Sequence, residues 1–420
     1  MKILWVSLVE FPQLSIALGK TPVAHCGWLY SSAKALVSSN PEVELGVLVY
    51  SYGKNYQKIV VEDITYYLIP SPRIDKVKDI QLKACRDAIH DFSPGLIHIH
   101  GTEHSLAAAV CKANDTGIPM VANIQGLAIP YTRYADGGLS LWDKLTNISS
   151  LDFIRGTFLL NAKKLFKARA KCEEYVLKHV QHVVGRTSWD EAHTLAVNPS
   201  LNYHFMNETL RDSFYEPPIW EYNKCKQHSI FVSNSATPLK GAHQVIKALP
   251  YILKKFPDTI VKFRGRNVLK SDFKSIIRMQ GYHLYLRRLV KKLNVQDHVE
   301  FLGSLTEAEM KQEFLNANVY VLPSSIENSP NSLCEAQILG VPTIAAYVGG
   351  TPDLVEEGKT GFLYRYEEVE MLSKLITDIF QMNEDIDMAE AEKEIARRRH
   401  SRTDNAERLN EIYRTIVLRK

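Results

Sequence analysis

The chain has 420 residues, 45% hydrophobic and 23% charged, with a net charge of +4. That length favours two domains over a single core. The ordinary composition and small charge exclude a disordered chain and a strongly basic nucleic-acid surface. No apolar run is long enough to span a membrane, and Met1 to Val6 enters a strand-like run without the layout of a signal peptide, so a cytoplasmic protein is expected. The six cysteines, at 26, 85, 111, 172, 225 and 334, form no C-x-x-C pair and are expected as reduced thiols.

Residues 2–8 read as a first strand, followed by a loop to Gly27 and a helix over 28–37. Gly27, placed just before a helix, suits either a plain turn or the close approach of backbone to a ligand. Runs 43–50 and 59–69 read as strands, 79–92 as a helix and 96–100 as a strand. In that strand His98 and His100 share a face. With His104 nearby they make a weak zinc pattern without Cys or carboxylate; the plainer reading has them line a cleft or bond the backbone. A helix over 106–114 and a strand over 119–124 lead to Gln125. Its amide can donate and accept hydrogen bonds but cannot titrate, so it suits a ligand hydroxyl or a turn and not a general base.

Residues 130–180 mix Trp142, Phe153, Phe158 and Phe166 with many lysines and arginines. The first reading is a packed helix with a solvated charged face. The second is a basic amphipathic surface for an anionic membrane. Arg186, after a strand at 183–185, either faces a cleft or pairs with a carboxylate. A strand at 203–206 closes the first half, and Pro217-Pro218 marks a linker over 216–220. Strands and helices then alternate: 229–233, 259–263, 284–293, 299–302, 307–316 and 319–322. This predicts two α/β halves, each a parallel sheet with helices on both faces and ligands at the carboxyl ends of the strands.

The chemistry concentrates in the second half. Lys240 precedes Gly241 at a helix opening, where an ammonium reinforces an anion site; the spacing is not that of a P-loop. Glu327 lies in the loop leaving strand 319–322. Asn328 or Ser329 is expected to cap the next helix, with Pro330 in its first turn. Asn331 and Ser332 then present free amides, which attract phosphate. Glu335 lies more than a turn inside, beside Ile338 and Leu339. A buried carboxylate needs a partner, and there is no Lys or Arg from 312 to 358. Ligand hydroxyls are one answer.

The run from Pro323 through Glu327 and Glu335 to Gly340-Val341-Pro342, Gly349-Gly350-Thr351-Pro352 and Gly358-Lys359-Thr360-Gly361 closely resembles the donor half of retaining glycosyltransferases of group 1, also called family 4. The resemblance is strong over 228–365 and thin before that. It implies a GT-B fold: an acceptor-side Rossmann-like domain over 1–216, completed by a C-terminal helix over about 402–420, and a donor-binding domain over 217–401, facing a cleft.

The implied reaction moves a sugar from a nucleotide-diphosphate donor to an acceptor hydroxyl with retention, in surface polysaccharide or glycolipid synthesis. No cofactor and no metal are implied. Glu327 and Lys240 are the implied catalytic pair, with Gly27, Gln125, Asn234, Asn328, Ser329, Pro330, Asn331, Ser332, Glu335, Gly349 and Gly350 contacting substrate. Two departures stand out. The family often carries His where this chain has Gln125, and Arg where it has Asn234; Arg264 or Arg266 is a candidate replacement. The implied partners are a nucleotide sugar and a saccharide or lipid-linked acceptor, with peripheral membrane association at the inner face. The alternatives are a nucleotide-sugar epimerase of similar fold and a non-catalytic ligand-binding protein.

Overall fold

The computed structural model describes residues 1–21, 27–51, 56–70, 77–382 and 386–418. Cys26 lies outside them; the other five cysteines are free thiols. The chain divides into two compact units. The first holds Met1–Pro130, Phe166–Asp212 and Arg399–Lys420; the second holds Tyr131–Leu165 and Ser213–Arg398.

The first unit is built on an eight-stranded sheet. Its strands are β1 (Lys2–Ser7), β2 (Glu44–Ser51), β3 (Gln57–Val61), β4 (Ile64–Pro70), β5 (Leu96–His100), β6 (Met120–Asn123), β7 (His182–Gly185) and β8 (Asn202–Phe205), in the order β3-β4-β2-β1-β5-β6-β7-β8. All neighbours are parallel except β3 and β4. The expected single strand over 59–69 is therefore two. Glu62 and Asp63 both take positive φ, 49° and 62°, and Val61 pairs with Ile64 across this two-residue turn. Such a turn matches the twist of an antiparallel hairpin. The alternation of side chains along the strands feeds two cores. Leu4, Val6, Ile97 and Ile99 pack on one face, and Ile3, Trp5, Val47 and Leu96 on the other.

The C-terminal helix Arg402–Leu418 returns to this unit as expected, and its Leu409, Ile412, Tyr413 and Ile416 join the second of these cores. Tyr413 is its fastening point. Trp5 Nε1 donates to the Tyr413 hydroxyl at 2.9 Å, and that hydroxyl lies 2.5 Å from His98 Nδ1. His98 and His100 are fully buried, and burial pushes both well below the usual imidazole range, His98 to about 3. They pack with Trp5 under the helix, so His98 serves a tyrosine rather than the backbone. Among the described residues no three metal-ligating side chains cluster. Arg186 follows the carboxylate alternative: buried, it bonds Glu208 at 2.7 Å and Asn123 at 3.1 Å.

The second unit carries a parallel six-stranded sheet: β9 (Lys226–Val232), β10 (Ile260–Phe263), β11 (Val299–Phe301), β12 (Ala317–Leu322), β13 (Thr343–Ala346) and β14 (Phe362–Tyr364), ordered β11-β10-β9-β12-β13-β14. Ile230, Val232, Val261, Phe263, Val319 and Val321 turn into the main core. On the opposite face Phe231, Phe314 and Tyr320 form an aromatic group. The strand order reverses direction at β9 and β12, the switch point outside which ligands bind in such sheets.

Residues 131–165 were expected in the first domain, on the acceptor side. They belong to the second unit. Gly137 explains the attachment: at φ +59° it packs so tightly on Pro238 that a side chain there would overlap the Pro238 carbonyl. The Gly137 carbonyl in turn accepts from Tyr366 Oη at 2.7 Å and from His243 Nε2 at 3.0 Å. Farther along, Leu139 and Leu159 join the main core.

Candidate active site

Two loops at the switch point of the second unit carry the expected pair. The loop after β9 forms a single 3-10 turn, Pro238–Lys240, ending at Gly241. The loop after β12 runs over 323–330 and is buried from Ser324 through Ser329. Backbone joins them. Ser325 N–H donates to the Leu239 carbonyl at 2.8 Å, and the Ser325 hydroxyl reaches the Tyr134 carbonyl at 3.1 Å. Gly241 takes φ +68°, and a side chain there would overlap the Pro323 carbonyl. Glycine is needed on both counts.

Two loops held this way bring Lys240 Nζ to 2.5 Å from Glu327 Oε1. The lysine reaches Glu327 from the loop after β9, 87 positions away in sequence. The Glu327 side chain is only 7% exposed and that of Lys240 30%. A pair buried on one side and open on the other keeps its mutual attraction while leaving the ammonium reachable.

Gly349 and Gly350, expected to bring backbone to a ligand, lie against the main chain of Glu327. Gly349 sits at φ +53°, where a side chain would overlap the Glu327 carbonyl, and Gly350 N–H donates to that same oxygen at 3.1 Å. The glycines fix the main chain that carries the acid.

The helix after this loop begins one or two residues later than a cap at Ser329 or Asn328 implies. Pro330 is its N-cap, Asn331 its first residue, and it runs Asn331–Leu339 with no side-chain cap. Asn328 and Ser329 are buried in the loop before it. The amides of its first turn therefore have no capping side chain, the arrangement that attracts an anion. Glu335 is buried in this helix, 3% exposed.

Beneath the helix start lies a group that sequence reasoning passed over. Tyr320 Oη donates to Ser332 Oγ at 2.8 Å and lies 2.8 Å from Ser233 Oγ. Burial pushes the Tyr320 hydroxyl up, and the charges of Glu327 and Glu335 push it further, so it stays a neutral donor. It ties the ends of β9 and β12 to the helix. Position alone hid it: an inward Tyr on a buried strand reads as core. Ser324 Oγ is also buried without a hydrogen-bond partner.

His243, one turn behind Lys240, was equally hidden. Its Nε2 donates to Gly137, so Nδ1 accepts from Tyr282 Oη at 2.9 Å; burial pushes the ring down to about 3, so it stays neutral.

The remaining expected residues are placed elsewhere. Asn234 Oδ1 accepts from Ala236 N–H at 2.9 Å and shapes its own loop. Arg266 spends its guanidinium on the carbonyls of Arg278 and Ser275, at 2.5 and 3.3 Å. Gly27 and Gln125 belong to the first unit. Gly27 is the first residue of the helix Gly27–Ser39, and the residues before it lie outside the described ones. The Gln125 amide sits beside Gly101, whose other close neighbour is the Glu103 carboxylate.

Comparison with known proteins agrees with this geometry. The family model for glycosyl transferases group 1 matches residues 220–399. Sulfoquinovosyl transferase SQD2 of Arabidopsis thaliana is 29% identical over 133 residues, 31% of this chain and 23% of that protein. A GDP-mannose-dependent phosphatidylinositol monomannoside mannosyltransferase of Mycolicibacterium smegmatis is 27% identical over 149 residues, 34% of this chain and 36% of its own. The matched stretch thus spans about a quarter to a third of these relatives. Over whole chains the fold is that of sucrose-phosphate synthase from Thermosynechococcus elongatus (TM-score 0.71, 16% identity, 100% of both chains). It is also that of Anabaena HepE, solved with UDP-glucose (TM-score 0.67, 14% identity, 99% and 100%). Both parallel-sheet units are accounted for by this GT-B likeness, and residues 220–399 match the group 1 glycosyl transferase family.

Proposed function

We propose that the protein transfers a sugar from a nucleotide-diphosphate donor to an acceptor hydroxyl, with retention at the anomeric carbon and without a metal. The observation that carries this is the Lys240–Glu327 pair, 2.5 Å apart beside an uncapped helix start. Without donor, each charge is the other's partner. A diphosphate supplies a better anion for Lys240, and the free amides at Asn331 and Ser332 take the remaining negative charge. Glu327 is then released to accept hydrogen bonds from sugar hydroxyls and to face the positive charge that grows on the sugar ring as the bond to diphosphate breaks. Stabilising the departing charge with fixed donors is the larger part of such catalysis. The ammonium does what a divalent metal would do for the leaving group. Glu335 receives the ribose hydroxyls, and Gln125 and Gly27 serve the acceptor-side unit.

The acceptor in this reading is a saccharide or a lipid-linked saccharide at the inner face of the cytoplasmic membrane, in the synthesis of a surface polysaccharide or glycolipid. One of the relatives named above acts on a lipid by its name, a phosphatidylinositol monomannoside, which supports the lipid-linked form. The first test is a thermal-shift screen against UDP-, GDP- and ADP-sugars, since a ligand of the folded state raises the melting point. The matching donor should then react only when acceptor is added, unaffected by chelator, giving a product whose anomeric NMR coupling matches the donor's. An inverted product, or a changed sugar nucleotide formed without acceptor, would overturn the reading.

A further inference from the structure

The second unit carries an apolar surface that neither its core nor its site uses. In residues 141–165 the side chains of Leu141, Trp142, Phe153, Ile154 and Leu165 are all exposed, Trp142 to 74% and Ile154 to 81%. The segment itself is firmly placed. A side chain at Gly281 would overlap the Asn147 carbonyl, Arg288 donates to Asn147 Oδ1 at 3.1 Å, and Ser149 and Asp152 form a capping box. Helix Leu141–Thr146 lies against the turn Leu159–Asn161, and Leu145 and Leu160 on these two elements are exposed as well. Inward residues hold the segment; outward ones are left in water. Exposed large apolar groups gathered this way mark an interaction surface.

The charges around them identify the partner. Arg155, Lys163 and Lys164 are exposed at the rim. Arg155 and Lys164 form no ion pair among the described residues, while the two acids of the segment, Asp143 and Asp152, are occupied in capping boxes. Short helices carrying Trp, Phe and Ile with a cationic rim suit the boundary of an anionic bilayer, where tryptophan is at home and each lysine or arginine adds attraction. Protruding side chains on short helices also suit a fluid surface better than a shaped groove.

We infer that residues 141–165 form a docking surface for an anionic phospholipid bilayer, which places the donor-binding unit at the membrane. The inference rests on the reading of a lipid-linked acceptor for its purpose and on these exposed side chains for its physics.

Vesicle flotation of the full chain tests it, using vesicles of phosphatidylcholine alone and of phosphatidylcholine mixed with phosphatidylglycerol, both free of acceptor. The wild type should float several-fold better with the anionic vesicles. The triple substitution Trp142→Ser, Phe153→Ser, Ile154→Ser should lower that binding roughly tenfold, with the nucleotide-sugar thermal shift unchanged. Ile154→Ser alone, at the most exposed of these positions, gives a smaller loss in the same direction should the triple variant fold poorly. Equal flotation of wild type and variants, or none by the wild type, overturns the inference. So does a dimer that the triple variant breaks without any vesicle binding. Because the vesicles carry no acceptor, these outcomes are independent of whether the acceptor is lipid-linked.

Discussion

Both units gather ionisable side chains at or near the carboxyl ends of parallel strands, and they use them in opposite ways. In the first unit His98 and His100 are buried against Trp5 and Tyr413, and Arg186 is buried with Glu208 and Asn123. Those groups hold the returning C-terminal helix and the strand ends. In the second unit Lys240 and Glu327 are as close as Arg186 and Glu208, yet the lysine stays partly exposed and the helix start beside it is uncapped. Residue type does not separate structure from chemistry here. What separates them is whether one member of the pair remains reachable from solvent.

The sharpest break of that comparison is to remove one member of each pair. Glu327→Gln should lower transfer by about a thousandfold, near 4 kcal/mol of barrier, and Lys240→Met should abolish the nucleotide-sugar thermal shift; steady-state kinetics and melting curves check the two. Arg186→Met should act the other way. It takes the guanidinium away from the buried Glu208 and costs about 3 kcal/mol of stability in denaturant titration, while the nucleotide-sugar shift survives. Turnover unaffected by Glu327→Gln would erase the distinction between the units.

A second contrast lies within the second unit. Gly349 and Gly358 both take positive φ, +53° and +73°, but only Gly349 is closed in by the Glu327 carbonyl; nothing lies near Gly358. Gly358→Ala should cost about 1 kcal/mol, the backbone term alone. Gly349→Ala must displace the loop that carries Glu327, and should cost about 2 kcal/mol or more with most of the activity. Equal melting temperatures for the two variants would mean that Gly349 does not position the acid.

Much of this site is legible in the sequence, because short-range rules govern it. Lys240-Gly241, Glu327 and the glycines at 349 and 350 sit at strand ends and helix starts that alternation reveals. What local pattern cannot show is which carbonyl a glycine faces, and so the packing of Gly349 on the Glu327 carbonyl is visible only in the structure. Nor can it show long-range attachment. Residues 131–165 follow the first half in sequence but are captured by the second, through Gly137, His243 and Tyr366, contacts separated by 106 and 229 positions. The hairpin at Glu62-Asp63 was hidden for a different reason: two non-glycine residues adopt positive φ there, against their preference.

Acid sharpens the comparison of the units. His98 and His400 are pushed down to about 3, and His100 well below its usual range, all by burial in the first unit. The second unit holds His243 at about 3 and His283 at about 4. The unfolded chain takes up these protons near pH 6.5 while the folded one does not. The contribution of these histidines to stability is therefore greatest above about pH 6.5 and falls as pH drops from there toward 3, by up to about 1.4 kcal/mol per histidine per pH unit. In calorimetry between pH 7 and pH 5, the transition that nucleotide sugar raises belongs to the second unit. It should move less than the other; equal movement would contradict the burial of three histidines in the first unit.

The smallest effect tests how the reachable pair is supported. Tyr320 touches no charge directly, yet it donates to Ser332 at the helix start and meets Ser233 at the end of β9. Tyr320→Phe keeps the ring and its packing on Phe231 and Phe314 and removes only the hydroxyl, at a cost of about 1 kcal/mol of stability. Ser332 loses its donor and the first turn of the helix its fixed orientation. Since those amides are proposed to hold the diphosphate, donor KM should rise several-fold while kcat at saturating donor changes little. A purely structural tyrosine would lower the melting point and leave KM alone. A KM change with full recovery of kcat places the hydroxyl in the support of the leaving-group site, the counterpart of what Tyr413 does for a helix with no ligand to hold.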